Sequence, residues 1–217
     1  MKTIAKFLAC VGLACSISAQ AATLGFYCIT NTSAANCASG VSQLSVTISS
    51  ASSNKALFTF SNAGPNASSI TDVYWQDGTL LDIASVNIGN IGTVNFSQYA
   101  SPSNLPGGNN ITPAFAATAG FSADSNSPVS PNGVNPGESL GVLFNLQPGK
   151  TYADVLAALD AAHLNQTGGL RIGIHVQSFS NGGSESFINV PTAVPLPAAA
   201  WLLGSGLIGL AGFLRRK

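Results

Sequence analysis

Asp72, Asp77 and Asp82 recur at a spacing of five in this 217-residue chain. Paired carboxylates carry glycoside hydrolysis and bind calcium, so the trio is a natural place to look for chemistry. Asp77 and Gly78 form the dipeptide that favours a type I′ turn, which makes SSITDVYWQDGTLLDIASV read as a hairpin pairing Val73 with Asp82 and Asp72 with Ile83. In that register Asp72 and Asp82 fall on opposite faces of the ribbon, and Asp77 serves the turn. The two histidines, His163 and His175, show neither HExxH nor His-x-His spacing, so no metal ligand set is assigned. No G-x-S-x-G elbow, P-loop or dinucleotide fingerprint is present, and GGSES around Ser184 lacks the closing glycine. No catalytic residue and no cofactor are therefore assigned. The one stretch whose oxygens would suit a structural Ca²⁺ is the loop from Asp124 to Glu138, although turn-forming residues produce the same composition. Tyr74 and Trp75 point to opposite faces of one strand. Trp75 shares its face with Val73 and Leu80 and reads as core, which leaves one aromatic of the pair exposed and able to stack on a sugar ring.

The elements that would position these residues lie between two hydrophobic ends. Only 7% of the chain is charged and its mean hydropathy is +0.32. Residues 1–21 place Lys2 and Lys6 before an apolar run from Phe7 to Ala14, then Ala19, Gln20 and Ala21 as an A-x-A cleavage site. That is the order of a secretory signal peptide, with an apolar run too short to span a bilayer. Between the ends, residues 22–191 form one domain in which Lys55, Lys150 and Arg171 face eight acidic residues, a net of minus five. Sparse, acidic charge excludes nucleic acid as a partner, because phosphate neutralisation needs clustered Lys and Arg. Cys10 and Cys15 leave with the signal. Cys28 and Cys37 remain, and in an exported chain such a pair closes a disulfide, here around ITNTSAAN, contributing about 2 to 3 kcal/mol.

The domain alternates apolar and polar residues with period two. SQLSVTIS sets Leu44, Val46 and Ile48 on one face, KALFTFS sets Ala56, Phe58 and Phe60, SLGVLFNLQ sets Leu140, Val142, Phe144 and Leu146, and LRIGIHVQ sets Leu170, Ile172, Ile174 and Val176. Loops rich in Pro, Gly and Asn separate them. KTYADVLAALDAAHL instead has helical spacing, with Thr151 as N-cap and Gly168 and Gly169 just beyond. The expectation is a mainly β fold, an antiparallel β-sandwich or jelly-roll with one short crossover helix. A signal helix precedes it and a C-terminal transmembrane helix follows.

That final segment, 192–217, has three parts: Val194, Pro195, Leu196 and Pro197; an uncharged Gly- and Ala-rich run over 198–214; and the basic cluster Arg215, Arg216 and Lys217. Seventeen helical residues reach about 25 Å, slightly less than the hydrocarbon core. By the positive-inside rule the basic end stays cytoplasmic and the domain lies on the exported side. The arrangement resembles the PEP-CTERM sorting signal of exported proteins in Gram-negative bacteria that make exopolysaccharide, with Leu196 in place of the acidic residue of Pro-Glu-Pro. The resemblance implies Sec-dependent export, anchoring in the inner membrane by the C-terminal helix, and recognition by an exosortase, a membrane-embedded cysteine protease or transpeptidase. The exosortase would remove the helix and deliver the domain to the cell surface or medium. The resulting expectation is a non-enzymatic surface or matrix protein associated with exopolysaccharide or biofilm. A carbohydrate-binding module is the alternative, and an envelope hydrolase acting through His163 or His175 is a further one.

Overall fold

The computed structural model describes residues 21–163 and 169–190. Apart from Ala21, the expected signal peptide lies outside the described residues. So do Val194, Pro195, Leu196 and Pro197, the helix 198–214, and Arg215, Arg216 and Lys217. No helix among the described residues is long and apolar enough to cross a membrane.

Among the described residues ten strands and three α-helices follow one another as β1 (Ala22–Cys28), α1 (Ala34–Gln43), β2 (Leu44–Ser52), β3 (Lys55–Asn62), β4 (Ser69–Gln76), β5 (Leu80–Val86), β6 (Phe96–Gln98), β7 (Ser122–Ser125), α2 (Val129–Asn132), β8 (Ser139–Leu146), α3 (Tyr152–His163), β9 (Arg171–Gln177) and β10 (Glu185–Asn189). The strands form one antiparallel sheet in the order β5-β8-β3-β2-β1-β10-β9-β4-β7-β6. β1 joins its two halves: Ala22 to Gly25 pair with β2, and Phe26 to Cys28 pair with β10. The outermost strands approach each other and nearly close the sheet. Gln98 Nε2 donates to Ile83 O at 3.0 Å, and just beyond β5 the Asn87 side chain donates to Phe96 O and accepts from Phe96 N.

The period-two pattern supplies the inner face. Leu44, Val46, Ile48, Ala56, Phe58, Phe60, Val142, Phe144, Ile172, Ile174 and Val176 are all buried in one apolar core. Trp75 sits at its centre, with the rings of Phe58, Phe60 and Phe144 set edge-on at 5.8, 5.5 and 4.8 Å. Offset edge contacts of this kind add to what area burial supplies. α3 connects β8 to β9 as the sequence predicts. Its start is fixed by Thr151, whose amide and hydroxyl both donate to the Asp154 carboxylate, and Val155, Ala158 and Leu159 add to the core.

The expected hairpin over Asp72–Ile83 is corrected. β4 pairs with β7 and β9, whereas β5 pairs with β8 at the far end of the sheet. Asp77 does make the turn, but its carboxylate accepts from the amides of Thr79 and Leu80 at 2.7 and 2.6 Å, and so turns the chain from one part of the sheet to another. Asp72 and Asp82 are therefore apart because their strands are not neighbours.

β1, α1 and β10 have no counterpart among the sequence expectations. The face that α1 buries consists of Asn36, Cys37, Gly40 and Gln43, so it carries no apolar stripe. The Ser33 hydroxyl accepts from Asn36 N at its start. Gly40 lies against the Phe187 ring, where any Cβ would collide with it.

Candidate functional site

Residues 99–121 run as a strap across the outer face of β4, β9 and β10. Ala100, Leu105 and Phe115 pack there on Tyr74, Ile29 and Ile188 and form a second apolar cluster. Gly173 permits the approach, since a Cβ on it would lie 2.7 Å from Leu105. Arg171 fastens the strap by donating to the carbonyls of Pro113 and Ala114, its guanidinium 5.5 Å from the Phe115 centroid.

Beside this cluster the ladder lines up a polar row. Asp124 on β7 stands opposite Asp72 on β4, Asp72 opposite His175 on β9, and His175 opposite Ser186 on β10. Alternation sends Val73, Ala123, Ile174 and Phe187 inward, so these four polar residues share the outer face. Asp72 is buried, yet it is well partnered. Its Oδ2 accepts from the Thr71 hydroxyl at 2.8 Å and lies 3.1 Å from His175 Nδ1. Burial first, then the Asp72 carboxylate beside it, push Asp124 up to about 6, against backbone donors at Ser101 and Ser125. Burial, followed by the same two aspartates, holds the Tyr74 phenol far above its usual range, so Tyr74 remains a neutral donor, to Pro102 O at 3.0 Å. Ser186 Oγ is fully buried and has no hydrogen-bond partner among the described residues. The row holds an acid pair, a carboxylate-oriented imidazole and a hydroxyl. In this conformation no substrate reaches the hydroxyl.

The acid pair sets a pH dependence. A carboxyl raised from 3.8 to about 6 on folding stabilises the protein fully below 3.8, and its contribution is lost as pH rises through 6. Glu138 and Glu185 act in the opposite sense. Burial pushes each upward, but hydrogen bonds outweigh it and leave both below the ordinary value of 4.5, so their stabilisation is lost on acidification below that value. The urea midpoint should therefore be higher at pH 5 than at pH 7.5. Asp124→Asn should flatten that difference while leaving the loss below pH 4.5 in place.

At the N-terminal end of the body, Cys28 and Cys37 are bonded as predicted, their Cα atoms 5.4 Å apart, and tie the end of β1 to the first turn of α1. Glu185 faces them from β10 and is fully buried. Its two oxygens accept from the hydroxyls of Thr30 and Thr32 and from the amides of Thr32 and Ser33, the amides at 3.0 and 2.6 Å. Cys28, Cys37 and Glu185 form the one group with metal-ligand geometry among the described residues, and the disulfide occupies both sulfurs. The group is a clamp on the 28–37 loop.

The remaining sequence candidates are placed as follows. Tyr74 and Trp75 are both 0% exposed, which corrects the expectation that one of them offers a ring to sugar. β4 is covered on both faces, inside by the core and outside by the strap. The loop from Asp124 to Glu138 does not gather its acids. Asp124 turns to Asp72, while Glu138 accepts from the amides of Thr93 and Asn135 at 2.8 and 3.0 Å. His163 is the last residue of α3 and has no place in the strand ladder that forms the polar row. Sequence reasoning passed over the contact between Asp72 and His175, which are 103 positions apart, and also Tyr99, which is 71% exposed beside Gly120. No family model, characterised protein or solved structure matches this chain.

Proposed function

We propose that this chain is an exported, non-enzymatic surface or matrix protein, a self-contained β domain sorted by its C-terminal segment and associated with exopolysaccharide. The observation that carries the reading is where the folded body starts and stops. β1 begins at Ala22, the residue after the expected signal cleavage site, and β10 ends at Asn189, just before the sorting motif at Val194–Pro197. These first and last strands pair with each other, Phe26 opposite Asn189, so removal of either flank leaves the sheet intact. A disulfide on β1 suits an oxidising compartment. The tail then acts as an address for an exosortase and not as part of the domain. Deleting residues 194–217 tests this in the native host. The truncated protein is expected to fold and to accumulate in the periplasm, absent from both the membrane fraction and the cell surface. Surface delivery without the tail would overturn the reading.

The carbohydrate-binding alternative gains one observation, the exposed ring of Tyr99. If sugar binds there, retardation of the domain in polysaccharide gels is lost in Tyr99→Ala and kept in Leu81→Ala, a control at another exposed apolar side chain.

A further inference from the structure

We infer that Lys55 and Asn145 are joined by a spontaneous amide cross-link, with Asp82 as the proton carrier. On the outer face of the other half of the sheet, three neighbouring strands bring one amine, one carboxamide and one carboxylate into a single transverse row. Lys55 on β3 is the register partner of Asn145 on β8, and Asn145 is the register partner of Asp82 on β5. The inward positions of these strands are Ala56, Phe144 and Ile83, so all three polar side chains project from the same face. Directly opposed residues have Cβ atoms about 5 Å apart, within the reach of a lysine stem. The carboxamide and carboxylate are already engaged, Asn145 Nδ2 donating to Asp82 Oδ1 at 2.8 Å.

Lys55 stands out among the three cations of residues 22–190. Lys150 is paired with Asp154 at 4.0 Å, and Arg171 is bonded to Gln76 and to the strap. Lys55 is half-buried, and its side-chain amine has neither an ion-pair nor a hydrogen-bond partner among the described residues. On the same face, one rung along, it is flanked by the half-buried pair Leu57 and Leu143. An unpaired amine held beside an acyl carbon by a rigid ladder has a large effective concentration, of the order of 10⁵ M or more for well-oriented groups.

The step balances without an oxidant or a second reactant. The Nζ lone pair attacks Asn145 Cγ, the Nζ–Cγ bond forms, and the Cγ–Nδ2 bond breaks. Asp82 accepts the proton released by Nζ and returns it to Nδ2, which leaves as ammonia. The product is a covalent bridge between β3 and β8.

The test is a tryptic map of the protein recovered from cells and reduced with a thiol. With the bridge, cleavage after Lys55 fails, and the peptide that runs through it to Lys150 is about 17 Da light, the mass of one ammonia. Its fragment spectrum joins Lys55 to Asn145, which separates the bridge from ring closure at an Asn-Gly step. Asp82→Ala changes an exposed residue, so the fold is kept. It is expected to restore both the mass and cleavage after Lys55. Normal cleavage with full mass in the wild type overturns the inference, as does a light peptide whose fragments place the loss elsewhere. The missed cleavage after Lys55 and the Lys55–Asn145 junction in the fragments do not depend on how the two ends of the chain are processed.

Discussion

Trp75→Ala is expected to lower unfolding stability by about 4 kcal/mol, a large fraction of the stability of a domain this size. The side chain is fully buried among three phenylalanine rings drawn from β3 and β8, so truncation removes contacts across the whole interior and leaves a cavity that those strands cannot collapse into. Trp75→Phe separates the packing from the polar part. The indole Nε1 has no hydrogen-bond partner among the described residues, so the exchange removes a buried donor that is already unsatisfied. It should cost less than about 2 kcal/mol. Urea titration of the two variants measures both values. A tolerant Trp75→Ala variant would contradict the placement of Trp75 in the core.

Glu185→Ala is expected to cost about 3 kcal/mol, because it removes a fully buried carboxylate that accepts four hydrogen bonds from the Thr30–Ser33 loop. The clamp and the disulfide restrain the same 28–37 segment, so their losses should not add. Once Cys28 and Cys37 are both replaced by serine, a further Glu185→Ala change should cost clearly less than it does in the parent. Additive losses would mean that the carboxylate and the disulfide stabilise separate parts of the molecule. Glu185 also binds the N-terminal end of the body to the last strand. The same substitution should therefore speed proteolysis at residues 29–33 before any other loop.

Strand existence was readable in the sequence wherever one face is core and the other is solvated, as in β2, β3 and β8, because alternation is the direct record of that asymmetry. α3 was readable from its apolar spacing and from Thr151 with Asp154. β4 was readable as a strand, but its outer face was not. Tyr74 is covered by a strap whose anchors, Leu105 and Phe115, sit in a segment composed of turn residues. No periodicity reports such a cover. α1 left no trace because the residues it buries are small or polar, and it is held by a cap and a disulfide in place of an apolar stripe. The polar row was illegible for a different reason. Asp72, Asp124, His175 and Ser186 meet only through strand order, and that order depends on Asp77 directing the chain away from the hairpin that Asp-Gly suggests.

Intact-mass measurement of the protein recovered from its native cells and medium tests the central claim most directly. The account predicts a species that begins at Ala22 and ends at or near Pro195–Pro197, its body the sheet from β1 to β10. A mature species that retains the residues through Lys217 would contradict it and make the C-terminal segment a permanent anchor.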